Sequence, residues 1–307
     1  MKKLDKLYIE ITNVCNLRCA FCPESGREPG FLSIDRFKTL LSRINDKAKG
    51  LYFHLKGEPL LHPQLGDMID LAGDAGFTVM VTTNGTLLPR SGRTLVGRKA
   101  LSRLNVSLHS LEAFSGEERD AALNDILTAV SALREDTGFS APVISLRLWN
   151  RADEEATGLL VSGIERFFSM NSGSLGGALS LARGVLVRSG ITVHPAERFD
   201  WPNLSGTNHD SEIHEIGHGF CRALRDQAGI LVDGTVVPCC LDGEGDIALG
   251  NIYKTAWDDI MNGPRARALY DGFSERRVVE PLCRTCGYRK RFDLVEEDNG
   301  GAETNLS

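Results

Sequence analysis

Eight cysteines are the residues in this 307-residue sequence whose type and spacing most clearly suggest chemistry. Cys15, Cys19 and Cys22 form a CxxxCxxC triplet near the N-terminus. The other five lie in the last third of the chain, at Cys221, Cys239, Cys240, Cys283 and Cys286. No cysteine lies between the two groups. Two compact sets of thiols in a reducing compartment indicate metal ligation and not disulfide bonding.

The N-terminal triplet can bind three corners of a cubane iron–sulfur cluster and leave the fourth iron open to a cofactor or substrate. The alternative is a zinc knuckle, which usually has four protein ligands or includes histidine. The nearest histidine in the sequence is His54, so a zinc site would need a distant fourth ligand. The spacing therefore favours the cluster and leaves zinc as the alternative.

The C-terminal group can form a second metal site through a β-hairpin. Two β-rich runs, Ile230–Val232 and Thr235–Val237, flank Asp233-Gly234, a strong hairpin turn signal. The hairpin would return Cys239 towards Cys221, and the Cys283-x2-Cys286 turn could close the site. Four thiolates can hold either a cluster or a structural zinc ion.

Composition excludes several other classes of protein. The chain is 42% hydrophobic with a net charge of -6, which is typical of a globular protein and not of a nucleic-acid-binding one. No apolar run is long enough to span a bilayer, so we expect no membrane association. The basic N-terminus lacks the apolar region of a signal peptide. We therefore expect a cytoplasmic location.

The elements that must position the cysteines alternate between strands and helices. We predict strands at Leu7–Thr12, Leu51–Leu55, Phe77–Thr82, Leu104–Leu108, Val143–Leu148 and Gly190–His194. Apolar periodicity predicts helices at Ile34–Asn45, Gln64–Ala75, Glu117–Leu133, Glu154–Met170 and Trp257–Tyr270. This alternation predicts an α/β fold with parallel strands, and six strands suit a partial, open (β/α)6 TIM-like barrel.

Parallel barrels place functional residues in the loops after their strands. The polar or glycine-containing segments of this chain all follow predicted strands: Cys15–Cys22, Lys56–Pro59, Thr83–Thr86, His109-Ser110 and Trp149-Asn150. We therefore expect these segments to meet on one face.

Other segments predict the boundaries of the domains. Gly173–Gly184 is rich in glycine and serine and is predicted to be a loop, and Asn203–Gly219 a linker. We expect a core domain at 1–215, a small domain at 216–295 and a flexible tail at 296–307.

The N-terminal motif, Cys15-Asn16-Leu17-Arg18-Cys19-Ala20-Phe21-Cys22, resembles the CxxxCxΦC signature of the radical S-adenosylmethionine (SAM) superfamily. Lys56-Gly57-Glu58-Pro59 resembles the family's GGEP motif, with lysine in place of the first glycine. Thr83-Asn84-Gly85 resembles its TNG motif, and Ser107-Leu108-His109 stands where many relatives have Ser-Leu-Asp. The resemblance implies SAM contacts from Phe21, Gly57, Glu58, Asn84, Ser107 and Arg147, and [4Fe–4S] ligation by Cys15, Cys19 and Cys22.

The C-terminal cysteines resemble the SPASM/twitch extension of the same superfamily, in its shortened form with one auxiliary [4Fe–4S] cluster. The resemblance implies ligation by Cys221, Cys239, Cys283 and Cys286. The Gly234-x4-Cys239 spacing selects Cys239 over Cys240. Cys240 is then spare, as a buried thiol or a residue facing the active site.

The resemblance implies reductive cleavage of SAM to a 5′-deoxyadenosyl radical that abstracts hydrogen from a substrate. An auxiliary cluster that accepts an electron would make the reaction a net oxidation of a small polar molecule, such as a sugar or aminocyclitol. An electron donor such as flavodoxin or ferredoxin is expected. A peptide- or protein-modifying maturase is the alternative, and a non-catalytic iron–sulfur or zinc-stapled binding protein is a second one. Neither Gly57-Glu58-Pro59 nor Thr83-Asn84-Gly85 is explained by that second alternative.

Overall fold

The computed structural model describes residues 2–137, 141–149, 154–182, 184–196, 198–204 and 217–293. Within these ranges the strands are β1 (Leu4–Ile9), β2 (Ala48–Phe53), β3 (Thr78–Thr83), β4 (Leu101–Ser107), β5 (Val143–Trp149), β6 (Val185–Arg188), β7 (Ile191–Ala196), β8 (Gln227–Ile230), β9 (Thr235–Val237) and β10 (Gly250–Asn251). They form one sheet in the order β10-β9-β8-β1-β2-β3-β4-β5-β7-β6. The run from β1 to β5 and on to β7 is parallel, which confirms the predicted six-stranded α/β core.

The helices within the described ranges are α1 (Ile34–Arg43), α2 (Leu65–Asp74), α3 (Leu88–Ser91), α4 (Gly116–Thr137), α5 (Glu154–Phe167), α6 (Ser174–Leu181), α7 (Trp257–Met261), α8 (Pro264–Ser274), α9 (Pro281–Arg284) and α10 (Lys290–Asp293). Four of them, α1, α2, α4 and α5, follow the predicted helices with ends that differ by a few residues. Helix α1 begins where Ser33 caps it, since the Ser33 hydroxyl accepts a hydrogen bond from the Arg36 amide.

Alternation along the strands separates the core from the cavity. Successive side chains of a strand point to opposite sides of the sheet. One set is apolar and fully buried, for example Leu7, Phe53 and Val81, and belongs to the hydrophobic core. The other set includes Tyr8 and Asn105, which line an internal cavity. The sheet therefore presents an apolar side to the core and a largely polar side to the cavity.

The predicted C-terminal hairpin is confirmed, and it extends the main sheet. β8 pairs in parallel with β1, and β9 returns antiparallel to β8. Gly234 forms the turn with φ 92°, and a Cβ atom there would lie 2.3 Å from the Tyr253 ring. The hairpin thus continues the barrel sheet beyond β1, and Cys239 and Cys240 lie just after its second strand.

Two predicted segments were wrong. Gly173–Gly184 is not a loop: it contains α6 and, directly after it, β6 begins. The Glu165 carboxylate accepts hydrogen bonds from the amides of Gly173 and Leu175 at 2.9 and 2.7 Å. It thereby provides acceptors for backbone N–H groups at the N-terminus of α6, which have no partner within the helix. The predicted single helix at Trp257–Tyr270 is divided into α7 and α8, because Pro264 starts a new helix.

Some expectations fall outside the described residues. Most of the predicted linker, the boundary at 215/216 and the tail from 296 belong to this group. Among the described residues, no helix is both long enough and apolar enough to cross a membrane.

Candidate active site

One cavity, of about 1220 Å³, receives both groups of cysteines. All eight cysteine residues line it, together with the segments that follow β1 to β4. The expectation that these polar segments share one face is therefore met for the four segments after β1 to β4, whereas Asn150, in the segment after β5, lies outside the described residues. The sequence alone could only suggest that the two sets of cysteines meet at a single cavity.

The N-terminal cysteine loop is held in shape by side-chain amides. The Asn84 amide donates to the Asn16 side-chain oxygen at 2.9 Å and lies 3.9 Å from the Cys15 sulfur. Asn16 in turn donates to the Thr86 hydroxyl at 2.9 Å. Within the loop, the Cys22 amide donates to the Cys19 carbonyl at 3.0 Å. The loop after β3 therefore supports the loop after β1.

The thiols of the N-terminal triplet lie close enough together to affect one another's pKa. Burial and the neighbouring Cys22 and Cys15 raise the pKa of Cys19 to about 11. Closely spaced thiolates repel one another unless a cation lies between them. This donor set fits an iron–sulfur cluster, whose irons favour the thiolate forms.

The C-terminal thiols are coupled in the same way. Burial raises the pKa of Cys239 well above its usual value, and the nearby thiols Cys240, Cys221, Cys283 and Cys286 raise it further. Burial and Cys221 also raise the pKa of Cys286 to about 12. In the described part of the chain no three His, Cys, Asp or Glu side chains are arranged around a single metal ion. The four predicted ligands are nevertheless near neighbours, and four thiols are the donor set of a [4Fe–4S] cluster.

Gly57 brings the motif after β2 against the cysteine loop. Its φ is +74°, and a Cβ atom would lie 2.3 Å from the Thr12 carbonyl oxygen and 2.9 Å from that of Val14. The next amide, of Glu58, donates to the Val14 carbonyl at 2.8 Å. Glycine is required here because the two backbones are in direct contact.

The Glu58 carboxylate organises the backbone around the cavity. It is fully buried, and it accepts hydrogen bonds from the amides of Leu60 (2.9 Å) and Asn84 (2.7 Å) and from the Thr83 hydroxyl (2.7 Å). Burial raises the pKa of Glu58, while these hydrogen bonds oppose the rise. The side chain thereby joins the GEP and TNG segments.

Lys56, which departs from the GGEP pattern, has a structural role in connecting two loops. Its ammonium donates to the Pro23 carbonyl at 2.5 Å and lies 5.6 Å from the centre of the Trp201 ring. A Cβ atom at Gly243 would lie 2.7 Å from the Lys56 side chain. The lysine thus ties the cysteine loop to the segment after Cys240, a role that the motif comparison could not reveal.

Phe21, Ser107 and Arg147 all line the cavity. The Phe21 ring packs edge-on against His109 at 5.0 Å between centroids. Burial and the Arg147 charge lower the pKa of His109 to about 3 and that of His54 to about 4. Both imidazoles are therefore neutral near pH 7.

The spare cysteine, Cys240, faces the cavity and packs against the hydrophobic cluster that contains Tyr8 of β1. Burial raises the pKa of Cys240 to about 11, and the neighbouring Tyr8 hydroxyl opposes this rise. Of the two alternatives for this residue, the structure favours the second: Cys240 is only half-buried, and it lines the cavity.

Sequence reasoning missed a buried ion pair beneath the cysteine loop. Glu10 is fully buried and accepts two hydrogen bonds from the Arg27 guanidinium, at 2.7 and 2.5 Å. It also accepts from the Val232 amide at 2.9 Å. A charged residue directly after an apolar strand was the available signal. Glu10 joins β1, the loop after the cysteines and the C-terminal hairpin.

Comparison with known proteins matches a family model to each of the two segments that carry the cysteines. The radical SAM superfamily model matches residues 9–139, and the model of SPASM, an iron–sulfur cluster-binding domain, matches residues 221–287. A tungsten-containing aldehyde ferredoxin oxidoreductase cofactor-modifying protein of Pyrococcus furiosus is 31% identical over 339 residues, covering 94% of this chain and 89% of that protein. A GTP 3′,8-cyclase of Nostoc sp. is 25% identical over 285 residues, covering 81% of this chain and 85% of that protein.

The fold is also that of a solved structure, Streptococcus suis SuiB bound to the precursor peptide SuiA. It is 17% identical, with a TM-score of 0.57, and the match covers 94% of this chain and 71% of SuiB. At this identity the likeness shows the fold alone. The matched domains exclude the zinc alternatives and the non-catalytic one. The chain belongs to the radical SAM superfamily: it is an enzyme that uses S-adenosylmethionine and [4Fe–4S] clusters, with a C-terminal SPASM domain.

Proposed function

We propose that this enzyme catalyses the SAM-dependent net oxidation of a small polar molecule. The observation that carries the proposal is that both cysteine groups line one cavity whose strand walls are largely polar. A substrate in that cavity would be within reach of both centres, as hydrogen abstraction followed by electron removal requires.

The cofactors have separate protein sites in this proposal. Cys15, Cys19 and Cys22 hold the first cluster, and Cys221, Cys239, Cys283 and Cys286 hold the second. When bound, the first cluster with SAM supplies a 5′-deoxyadenosyl radical for hydrogen abstraction, and the second supplies an electron acceptor. Residues 1–215 would form the radical-generating domain and 216–295 the auxiliary one.

The remaining motif residues would bind and orient SAM. Gly57 keeps the backbone after β2 close to the cysteine loop, and Glu58 fixes that backbone relative to Asn84. Phe21, Ser107 and Arg147 border the same cavity, where Arg147 offers a cation for a carboxylate. The neutral His109 ring keeps Phe21 in position without adding charge.

A small substrate is favoured over a peptide by the walls of the cavity and by the relatives. The side chains between the two cysteine groups include hydroxyls and amides, such as Tyr8, Thr82 and Asn105, which suit a polar molecule. The names of the Pyrococcus furiosus and Nostoc relatives describe action on a cofactor and on a nucleotide. The peptide-bound neighbour shares only the fold.

A second candidate is modification of a metal-containing cofactor. The observation in its favour is the 31% identity to the cofactor-modifying protein, which extends over nearly all of both chains. Incubating the enzyme with cofactor released from a tungsten-containing aldehyde ferredoxin oxidoreductase should then yield a modified cofactor detectable by mass spectrometry. An unchanged cofactor, with active enzyme present, would eliminate this candidate.

Reduction of the first cluster needs an external electron, for which we propose a flavodoxin or ferredoxin. All eight cysteines are free thiols, which suits a reducing compartment, so the cytoplasm is the proposed location.

The test separates hydrogen abstraction from oxidation. The cluster-loaded enzyme, SAM and a reductant are incubated with either the small-molecule or the peptide fraction of a cell extract. We expect only the small-molecule fraction to increase 5′-deoxyadenosine and to yield a product lacking a pair of hydrogen atoms. Stimulation by the peptide fraction alone would support a peptide maturase instead.

Two variants provide the controls. Cys22→Ala should abolish 5′-deoxyadenosine formation. The double variant Cys283→Ala/Cys286→Ala, once circular dichroism and gel filtration show that it is folded, should retain some 5′-deoxyadenosine formation but lose the oxidised product. Normal product formation by the folded double variant would contradict the oxidation proposal.

A further inference from the structure

The cavity has a charge that is opposite to that of the whole chain. Lysines and arginines outnumber carboxylates among its lining residues by eight to three, whereas the chain carries 35 lysines and arginines against 41 carboxylates. Of the three carboxylates, Glu58 and Asp242 already accept backbone hydrogen bonds, and Glu24 is exposed. The excess positive charge of the cavity is therefore not neutralised by its own acidic residues.

Several of these cations already have protein partners. Arg27 is paired with Glu10, Lys56 donates to the Pro23 carbonyl, and Arg289 donates to the carbonyls of Cys283 and His218. These contacts hold the loops around the two cysteine groups.

Two other cations, Lys6 and Arg103, line the cavity from the first halves of their strands and lack such partners. Within the described residues neither side chain donates a hydrogen bond or forms an ion pair. Arg103 precedes Ser107, at the end of the same strand, by four residues, so its Cα lies about 13 Å further from the SAM-side rim. Lys6 likewise lies in the first half of β1, well before the cysteine loop.

Tyr52 connects the two cations. The Lys6 ammonium lies 6.0 Å from the centre of the Tyr52 ring, and the charge of Arg103 acts on the Tyr52 hydroxyl. Tyr52 and Arg103 are on strands that flank β3, and both are in register with Met80. An ammonium, a guanidinium and a phenol therefore line one region of the polar wall.

We propose that Lys6, Arg103 and Tyr52 form a subsite for a phosphate group of the substrate, at the end of the cavity remote from the N-terminal cysteine loop. Two unpaired cations match a dianionic phosphate better than a singly charged carboxylate, and a guanidinium can bind two phosphate oxygens at once. The subsite would hold the substrate by its phosphate while the other end of the molecule reaches the SAM side. The inference rests on the proposed function, because it assigns a substrate class to that cavity.

The test measures binding with three small probes that differ in charge. Glycerol 3-phosphate, glycerate and glycerol are titrated by calorimetry into the cluster-loaded, SAM-bound enzyme at low ionic strength. We expect saturable binding of glycerol 3-phosphate, at least about tenfold weaker binding of glycerate, and none of glycerol. Tighter binding of glycerate would assign the subsite to a carboxylate and overturn the phosphate proposal, as would the absence of glycerol 3-phosphate binding.

Variants locate the binding site. Lys6→Gln and Arg103→Gln should each weaken glycerol 3-phosphate binding by about tenfold or more, and Arg103→Lys should recover part of the loss. Arg90→Gln, on the exposed face of α3, is the matched control and should bind as the wild type does. Lys6 is exposed, so its variant tests the proposal even if Arg103→Gln folds poorly. Unchanged binding by Lys6→Gln and Arg103→Lys would overturn the assignment.

A parallel measurement on the wild type distinguishes failure of the phosphate subsite from failure of the proposed function. If the enzyme forms 5′-deoxyadenosine but does not bind glycerol 3-phosphate, the phosphate subsite is wrong and the proposed function stands. If 5′-deoxyadenosine is not formed at all, the proposed function fails whatever the probes do.

Discussion

Gly57 lies where the loop after β2 and the cysteine loop are in direct backbone contact. Two properties of this position disfavour any side chain: a positive φ and a carbonyl oxygen 2.3 Å from the site of a Cβ atom. Gly76, also with a positive φ of +82°, has no atom within 4 Å of its Cβ site. Comparing alanine substitutions at Gly57 and Gly76 therefore separates the cost of backbone strain from the cost of steric contact.

We predict that Gly57→Ala lowers the free energy of unfolding by more than about 3 kcal/mol, because the methyl group displaces the cysteine loop. Gly76→Ala should cost only about 1–2 kcal/mol, the cost of a left-handed backbone conformation. Thermal unfolding of the cluster-loaded proteins and SAM binding by equilibrium dialysis provide the measurements. Equal destabilisation by the two substitutions would show that the Thr12 contact is unimportant, and full SAM binding by Gly57→Ala would show that the loop has not moved.

The motifs and their positions after the strands could predict which residues line the cavity. The cysteines, Gly57 and Asn84 all reach the cavity as their spacing indicated. The role of Lys56 could not be predicted, because its partner Pro23 and its packing against Gly243 depend on how two distant loops meet. The ties of Glu58 to Thr83 and Asn84 likewise depend on the adjacency of β2 and β3.

At the scale of elements, β1 connects the two halves of the site. It pairs in parallel with β2 on one side and with β8 on the other. Glu10, directly after β1, binds both Arg27 beyond the cysteine loop and the Val232 amide of the hairpin. A single buried carboxylate thus fixes the loop after the cysteines relative to the strand that leads to Cys239.

We predict that Glu10→Gln destabilises the protein by about 3 kcal/mol or more, because it leaves the half-buried Arg27 guanidinium without its counter-ion. The exposed pair of Glu135 and Arg188 supplies a control, and Glu135→Gln should change stability by less than about 1 kcal/mol. Midpoints of thermal unfolding measure both effects. The rate of iron loss to a chelator should also rise for Glu10→Gln alone; a rate equal to that of the control would contradict the proposed link to the cysteine loop.

Strands and amphipathic helices could be predicted from periodicity, whereas two kinds of element could not. Helix α6 contains Gly176 and Gly177 and so has the composition of a loop, yet burial of Leu175 and Leu179 stabilises it. The parallel pairing of β8 with β1 joins residues more than two hundred positions apart, and no local pattern encodes such a contact. Tertiary packing decides both cases.

At the scale of the whole molecule, the fold brings together two cysteine groups that the sequence separates. The hairpin extends the barrel sheet on the β1 side, so its cysteines arrive beside the loop that β1 carries. The two groups then share one cavity, and Tyr8 of β1 lines it beside Cys240. This arrangement is what connects radical formation with a later electron transfer in the proposed reaction.

In the proposed reaction, the N-terminal triplet holds a SAM-binding cluster with an open iron, while the four C-terminal ligands complete a second cluster. Mössbauer spectroscopy of the ⁵⁷Fe-reconstituted enzyme, before and after addition of SAM, tests this arrangement most directly. We predict about eight irons per chain, with SAM altering one iron of one cluster only. Cys22→Ala should abolish the SAM-dependent change, whereas Cys240→Ala should preserve it. About four irons per chain with bound zinc, or a SAM-dependent change that survives in Cys22→Ala, would contradict the account.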